Sequence, residues 1–220
     1  SVEMIKAKFP RVRLIENAVN NRYVAHLGGP ERIGELLWAE AKKRGWESAK
    51  DRQVVADGAP WIWTLVQDHF YDACQTIDWF HATEHLAAAA KWVYGEGTPK
   101  ATRWYNAARK RLYQGHAQRI AHMLRKKAAA DPDHAQDLNR EANYFDHHQR
   151  RMQYLEFRED GFLIGSGMIE SGCKQYKARF NGPGMRWHRH GLERLLPIRS
   201  AVMGGCFDSM WHSAYTLPQN

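Results

Sequence analysis

The chain has 220 residues, 44% of them hydrophobic, enough to bury one sizeable core with a smaller appendage beside it. Its formal net charge of +8 and pI near 9.5 point any large partner towards a polyanion, nucleic acid first and anionic membrane second. No apolar run approaches the ~18 residues of a membrane span, and residues 1–10 lack the apolar centre of a signal peptide, so a soluble intracellular protein without a membrane partner is expected.

The run Arg-Tyr-Val-Ala-His-Leu at 22–27 is rich in strand formers and is closed by Gly28-Gly29-Pro30, which predicts a strand. Residues 31–44 place Ile33, Leu36, Leu37 and Ala41 on one face at three-and-four spacing, with basic residues in the last turn and Gly45 beyond, which predicts an amphipathic helix. Gln53-Val54-Val55-Ala56, closed by Asp57-Gly58, predicts a buried strand ending in a turn. Pro60 suits the first turn of a second helix running to about Phe70, with Trp61 and Trp63 packing it onto a sheet, and 73–80 supply a third strand. Strand, helix, strand, helix, strand is the alternation that builds an α/β fold with a parallel sheet.

From 83 to about 158 strand formers nearly vanish and helix formers dominate, which predicts an all-helical insertion. Breaks at Gly95-Glu96-Gly97-Thr98-Pro99 and Asp131-Pro132-Asp133 divide it into about three helices or more. Between Glu96 and Asp131 no residue is acidic, whereas Lys100, Arg103, Arg109, Lys110, Arg111, Arg119, Arg125, Lys126 and Lys127 are basic. Beyond it, Gly165-Ser166-Gly167 opens a helix through Ile169, Cys173 and Tyr176, Gly182-Pro183-Gly184 forces a turn, and 192–203 form a last helix bent at Pro197. The cysteines Cys74, Cys173 and Cys206 are scattered without a CxxC, against a disulfide framework or a thiolate zinc site and in keeping with a reducing cytoplasm.

Asp57 sits at the carboxyl end of a predicted strand, where open α/β sheets bind ligands, and it serves equally as a turn-forming Asp-Gly. Glu170 lies early in a helix with Lys174 and Lys177 at i+4 and i+7, a pattern that also describes an ordinary exposed Glu-Lys pair. Two acidic residues on separate elements of a basic chain are what magnesium-dependent phosphoryl transfer uses: carboxylates hold the ions, and the ions stabilise the attacking and leaving oxygens.

Four blocks, taken together, carry a resemblance: Val55-Ala56-Asp57-Gly58-Ala59-Pro60-Trp61-Ile62-Trp63, Ile77-Asp78-Trp79-Phe80-His81-Ala82-Thr83-Glu84-His85-Leu86, Ile164-Gly165-Ser166-Gly167-Met168-Ile169-Glu170-Ser171 and Gly184-Met185-Arg186-Trp187. From about Arg22 to Trp211 the chain resembles insertion-sequence transposases of the IS-Kra type, in the mutator-like group of DDE enzymes. The resemblance implies an RNase-H-like catalytic core over 1–82 and 160–220, with 83–159 as its helical insertion. It implies that Asp57 and Glu170 are the second and third catalytic acidic residues and metal ligands, with His81 supporting them. Asp78 stands where relatives carry the Cys of a Cys-x-x-His motif, and a helix cap is its other reading.

In that fold the first metal-binding Asp lies on the first strand. No Asp precedes Asp51, Glu3 and Glu16 lack a strand context, and the chain opens on Ser1 rather than Met, so the first Asp and first strands are expected upstream of a truncated chain. The fragment is expected to be inactive by itself. The complete enzyme is expected to bind two Mg²⁺ or Mn²⁺ ions, cleave at the insertion-sequence ends, and join the freed 3′ hydroxyl to target DNA. It would do so as a homodimer or larger synaptic assembly in the bacterial cytoplasm, at the nucleoid. Lys174, Lys177 and Arg186, with Arg103, Arg109, Lys110 and Arg111 of the insertion, are the expected DNA contacts. A DNA-binding remnant acting as a repressor, and an RNase-H-like nuclease, are the competing expectations.

Trp104-Tyr105 suit a base-stacking platform or, more simply, the core of the insertion. Trp187-His188-Arg189-His190 suit a phosphate-contacting loop or a solvated basic turn. His81 and His85 share a helix face if the helix has begun there, but with Cys74 they lack an evident fourth ligand, so no zinc site is expected.

Overall fold

The computed structural model describes residues 20–216; the expectations for 1–10, Glu3 and Glu16 lie outside them. Of the described residues, 51–63 and 72–166 form one compact unit, and 20–50, 64–71 and 167–216 form another. Helix predominates, and the described residues hold one two-stranded parallel sheet.

In the first unit, β1 (Gln53–Ala56) pairs with β2 (Cys74–Ile77) in the register Gln53↔Cys74 to Ala56↔Ile77. The two are joined through α2 (Pro60–His69), so the expected strand, helix and strand form as a crossover. The carboxamide of Gln53 donates to the Leu163 carbonyl at 2.6 Å and accepts from the Leu163 N–H at 3.0 Å, so a side chain satisfies extended backbone beside β1. Ile77 and Thr76 are fully buried, and the buried Tyr154 hydroxyl donates to the Ile77 carbonyl at 3.0 Å. The expected third strand stops at Ile77 rather than Phe80, because Asp78 caps α3 (Trp79–Tyr94) through the Phe80 and His81 amides. Trp63 is buried as expected, whereas Trp61 is 49% exposed and does not pack on the sheet.

The insertion is helical throughout, as its composition predicts: α3 leads to α4 (Pro99–Tyr113), α5 (Ala117–Ala130), α6 (Ala135–His147) and α7 (Tyr154–Glu159). Thr98 caps α4 by accepting from Ala101 N at 3.1 Å, with Pro99 at the first position. A break missed in the sequence falls at Gly115, whose φ of 80° or so is the left-handed conformation that glycine adopts without penalty. Leu86, Leu112, Ile120, Leu124, Leu138, Phe145 and Met152 are fully buried and make the core of this unit.

The second unit contains α1 (Pro30–Lys43), the latter part of α2, α8 (Gly167–Phe180), α9 (Arg189–Met203) and α10 (Phe207–Thr216). Trp38 and Trp46 meet Phe70 edge-on with ring centroids 5.5 and 5.0 Å apart. The expected strand at 22–27 is not one: it has no ladder partner among the described residues. Its place is fixed instead by Arg22 donating to the Gly204 carbonyl, by Arg189 donating to the Leu27 carbonyl at 3.2 Å, and by Tyr23 seated against Gly172. Strand propensity there is local, whereas pairing requires a neighbour that the described residues do not provide. Pro197 lies inside α9, and α10 has no counterpart among the sequence expectations. No helix of the described residues is long and apolar enough to cross a membrane.

Candidate active site at the strand ends

Asp57 follows the last residue of β1 and is half-buried. Its Oδ1 accepts from Ala59 N at 2.8 Å, which shapes the turn into α2, so the turn-forming role is real. Its Oδ2 makes no hydrogen bond among the described residues, which leaves one charged oxygen for a ligand at the carboxyl end of a parallel strand.

The next residue explains why the turn is shaped as it is. A Cβ placed on Gly58 would stand 2.3 Å from Cε2 of Tyr144 and 3.3 Å from Nε2 of His148, so this backbone touches a helix of the insertion too closely for any side chain. His148 is 4% exposed, and its Nδ1 takes a hydrogen bond from Arg151 Nη1 at 3.2 Å. Because a guanidinium only donates, Nδ1 is the bare nitrogen and the proton resides on Nε2, the atom facing Gly58. Burial first, then the charges of His147 and Arg151, push the His148 pKa down to about 4 against the opposing backbone bond at Gly58, so the ring is neutral at pH 7. Arg151 is held over the Trp63 ring at 4.2 Å and donates through Nε to Gln75 Oε1 at 2.9 Å.

Gly58→Ala is therefore expected to destabilise the protein by about 1–3 kcal/mol, the usual range for forcing a methyl into a packed site. A double-mutant cycle by urea unfolding checks the cause: in a Tyr144→Ala background most of the loss should disappear, and an undiminished loss would place the strain elsewhere.

Asp78, just after the last residue of β2, is fully buried. Oδ1 accepts from Phe80 N at 2.8 Å and His81 N at 3.1 Å and lies 3.4 Å from His81 Nδ1. Oδ2 accepts from both the amide and the hydroxyl of Ser166 at 2.5 Å. Burial opposes its charge, but the bonds from Ser166 and His81 outweigh burial and hold the carboxyl below its ordinary range. The cap reading of Asp78 is thus correct, with the addition that the same carboxylate fastens the Gly-Ser-Gly loop.

Further along α3, His85 Nδ1 meets the buried Glu141 Oε2 at 2.6 Å, and its ring stacks on Tyr144 with centroids 3.6 Å apart. The Tyr144 hydroxyl is buried without a hydrogen-bond partner among the described residues. Burial first, then Asp57, Asp78, Glu141 and Glu84, raise its pKa far above the ordinary phenol. Sequence reasoning missed Glu141, Tyr144, His148 and Arg151, although their three-and-four spacing, a polar stripe beside the apolar Leu138, Ala142 and Phe145, was the available signal.

Glu170 stands in the first turn of α8, in the other unit, exposed, and forms no ion pair with Lys174 or Lys177. Those two lysines and Arg186 are exposed. In the insertion Lys100, Arg103, Arg109, Lys110, Arg111, Arg119 and Lys126 are exposed cations. Arg125 is engaged by Asp146 at 2.9 Å, and Lys127 lies over the Tyr94 ring at 5.3 Å. Trp104 is half-buried beside Tyr94 with its indole N–H buried, so it is packed rather than presented as a platform. In the Trp187 loop, Arg189 pairs with Glu193 at 2.8 Å and Trp187 donates to the Phe180 carbonyl at 3.0 Å. Cys74, Cys173 and Cys206 are free thiols. No protein family, curated protein or solved structure was found to match this chain.

Proposed function

We propose that this chain is part of a DDE-type, RNase-H-like DNA transposase, whose complete form cleaves phosphodiesters at insertion-sequence ends and joins them to target DNA. The observation that carries the reading is Asp57, a strand-end carboxylate with one oxygen lacking a hydrogen-bond partner among the described residues, in a crossover of two parallel strands. The exposed cations of residues 100–126 support a DNA partner, and two copies or more would be needed to hold two ends together.

Asp57 and Glu170 offer the hard oxygen donors that Mg²⁺ or Mn²⁺ takes, and such an ion would neutralise charge on the phosphodiester oxygens. Among the described residues no three His, Cys, Asp or Glu side chains gather to hold a metal, so no complete ion site is assigned. What the chain itself contributes is orientation. Ala59 fixes the Asp57 carboxylate through Oδ1, and Gly58, gripped by Tyr144 and His148, limits the motion of the turn.

The proposal is tested first through its partner. Duplex DNA binding, followed by fluorescence anisotropy on the full chain, should weaken about a thousandfold between 50 and 200 mM salt if about six phosphates are contacted. Lys110→Glu with Arg111→Glu should make that dependence shallower. Affinity that does not change with salt, or no binding at all, would overturn the reading.

A further inference from the structure

Two histidines on one face of α3 share an unusual arrangement. His81 and His85 are one turn apart, so their Cβ atoms are separated by about 5–6 Å on the same side of the helix. Each ring has its Nδ1 directed at a carboxylate that is itself out of solvent: Asp78, fully buried, for His81, and Glu141, 3% exposed, for His85. An Nδ1 donating to a carboxylate leaves the lone pair on Nε2 in the neutral ring. Neither Nε2 has a hydrogen-bond partner among the described residues, and the two side chains are 44% and 37% exposed.

This is the outer-shell pattern by which proteins orient histidine ligands: a carboxylate fixes the tautomer and raises the basicity of the nitrogen that binds the metal. The stacking of His85 on Tyr144 restrains its ring further. The segment His81-Ala82-Thr83-Glu84-His85 also has the His-x-x-Glu-His spacing by which helical zinc enzymes present two imidazoles. A cation near the amino end of a helix would ordinarily be repelled by the helix dipole, but here the capping charge of Asp78 offsets that end. Imidazole nitrogen selects zinc and its neighbours over magnesium, which separates this site chemically from any ion held by Asp57.

We propose that His81 and His85 form a binding site for a zinc-class divalent cation through their Nε2 atoms, with Asp78 and Glu141 as the orienting carboxylates. No third His, Cys, Asp or Glu stands with them among the described residues, so the remaining coordination positions fall to water or to an oxygen of a bound anion. The sequence expectation against zinc rested on the lack of a fourth ligand; it did not include the two carboxylates behind the imidazoles. The site does not depend on the transposition reading, since it needs neither DNA nor cleavage.

The test is titration of the full chain with Zn²⁺ by calorimetry, and with Co²⁺ by visible absorption, after dialysis against a chelator. The comparison is with His81→Asn and His85→Asn combined: the Asn carboxamide can still donate to the carboxylate from near the Nδ1 position but has no Nε2. Wild type should bind one equivalent at least about tenfold more tightly than the double variant, and Glu141→Gln should weaken binding by about tenfold, the usual effect of losing an outer-shell carboxylate. Because the chain has 12 histidines, His188→Asn with His190→Asn serves as the control and should leave the affinity unchanged. Equal affinity in wild type and the His81/His85 variant, no binding in wild type, or loss of binding in the His188/His190 control would each overturn the proposal. Should the double variant fail to fold, the Glu141→Gln comparison decides it alone.

Discussion

In the complete protein, Asp57→Asn is expected to abolish Mg²⁺- or Mn²⁺-dependent strand cleavage while leaving both duplex binding and thermal stability nearly unchanged. The substitution is chosen for what it keeps. Oδ1 of Asn still accepts from Ala59 N, the 2.8 Å bond that shapes the turn into α2, and the side chain has the same volume. Stability should therefore stay within about 0.5 kcal/mol, as for a substitution that disturbs no buried feature. What disappears is the negative charge on Oδ2, the atom with no hydrogen-bond partner among the described residues. If that oxygen holds an ion, several kcal/mol of charge stabilisation go with it, a rate loss of about a thousandfold or more. The proposed DNA contacts are other residues, so affinity should change by no more than about twofold. A cleavage assay on element-end duplex, run beside anisotropy and a melting curve, separates these effects. Cleavage that survives would remove Asp57 from the reaction; lost cleavage with lost folding would mean that the turn, not the charge, was disturbed. Glu170→Gln should show the same pattern, since Glu170 is exposed and its charge forms no ion pair whose loss would affect stability.

The parts of the fold that were legible in the sequence are those decided locally. Gln53-Val54-Val55-Ala56 before Asp-Gly, and Pro60 before an apolar face, each state their structure within a few residues, and β1 and α2 lie where that chemistry puts them. The errors came where a distant partner decides. Residues 22–27 have the composition of a strand but no neighbour to pair with among the described residues, so side-chain bonds hold them instead, from Arg22 to the Gly204 carbonyl and from Arg189 to the Leu27 carbonyl. At Ile77 the apolar run continues through Trp79 and Phe80, and only the cap formed by Asp78 turns it into helix. The candidate site divides in the same way. Asp57 was visible as a single residue before a turn, whereas the grip on Gly58 joins residues about 90 positions apart and has no local signature. The polar stripe on α6 was readable as a pattern, but nothing in the sequence says which backbone it would face.

The most destabilising single change is expected at Asp78. Asp78→Ala would remove one carboxylate and leave five donors behind it: the amides of Phe80, His81 and Ser166, the hydroxyl of Ser166 and the His81 imidazole. Loss of a helix cap costs about 1–2 kcal/mol, and loss of hydrogen bonds to a charged acceptor about 1.5–3 kcal/mol, so a total of about 3 kcal/mol or more is expected. Asp78→Asn should rescue little, because one position of its carboxamide becomes a donor, facing either the Ser166 amide or the helix amides. The pH dependence gives an independent check on mechanism. The Asp78 carboxyl is held below its ordinary value of 3.8, so its contribution is complete above that value and is lost as pH falls through the folded-state value beneath it. Urea midpoints of wild type and Asp78→Ala should therefore differ by a constant amount from neutral pH down to about 4 and converge below. His148 titrates in a different window: its pKa falls from 6.5 to about 4 on folding, so its share of stability is lost between those values in both proteins and cancels in the difference. Hydrogen exchange localises the damage. Faster exchange at Phe80, His81 and Ser166 with slow exchange retained at Leu124 and Phe145 would show that the carboxylate holds the strand end, the helix start and the loop before α8 together. Equal midpoints for the two proteins at pH 7 would show instead that these donors find other partners and that Asp78 is dispensable to the fold.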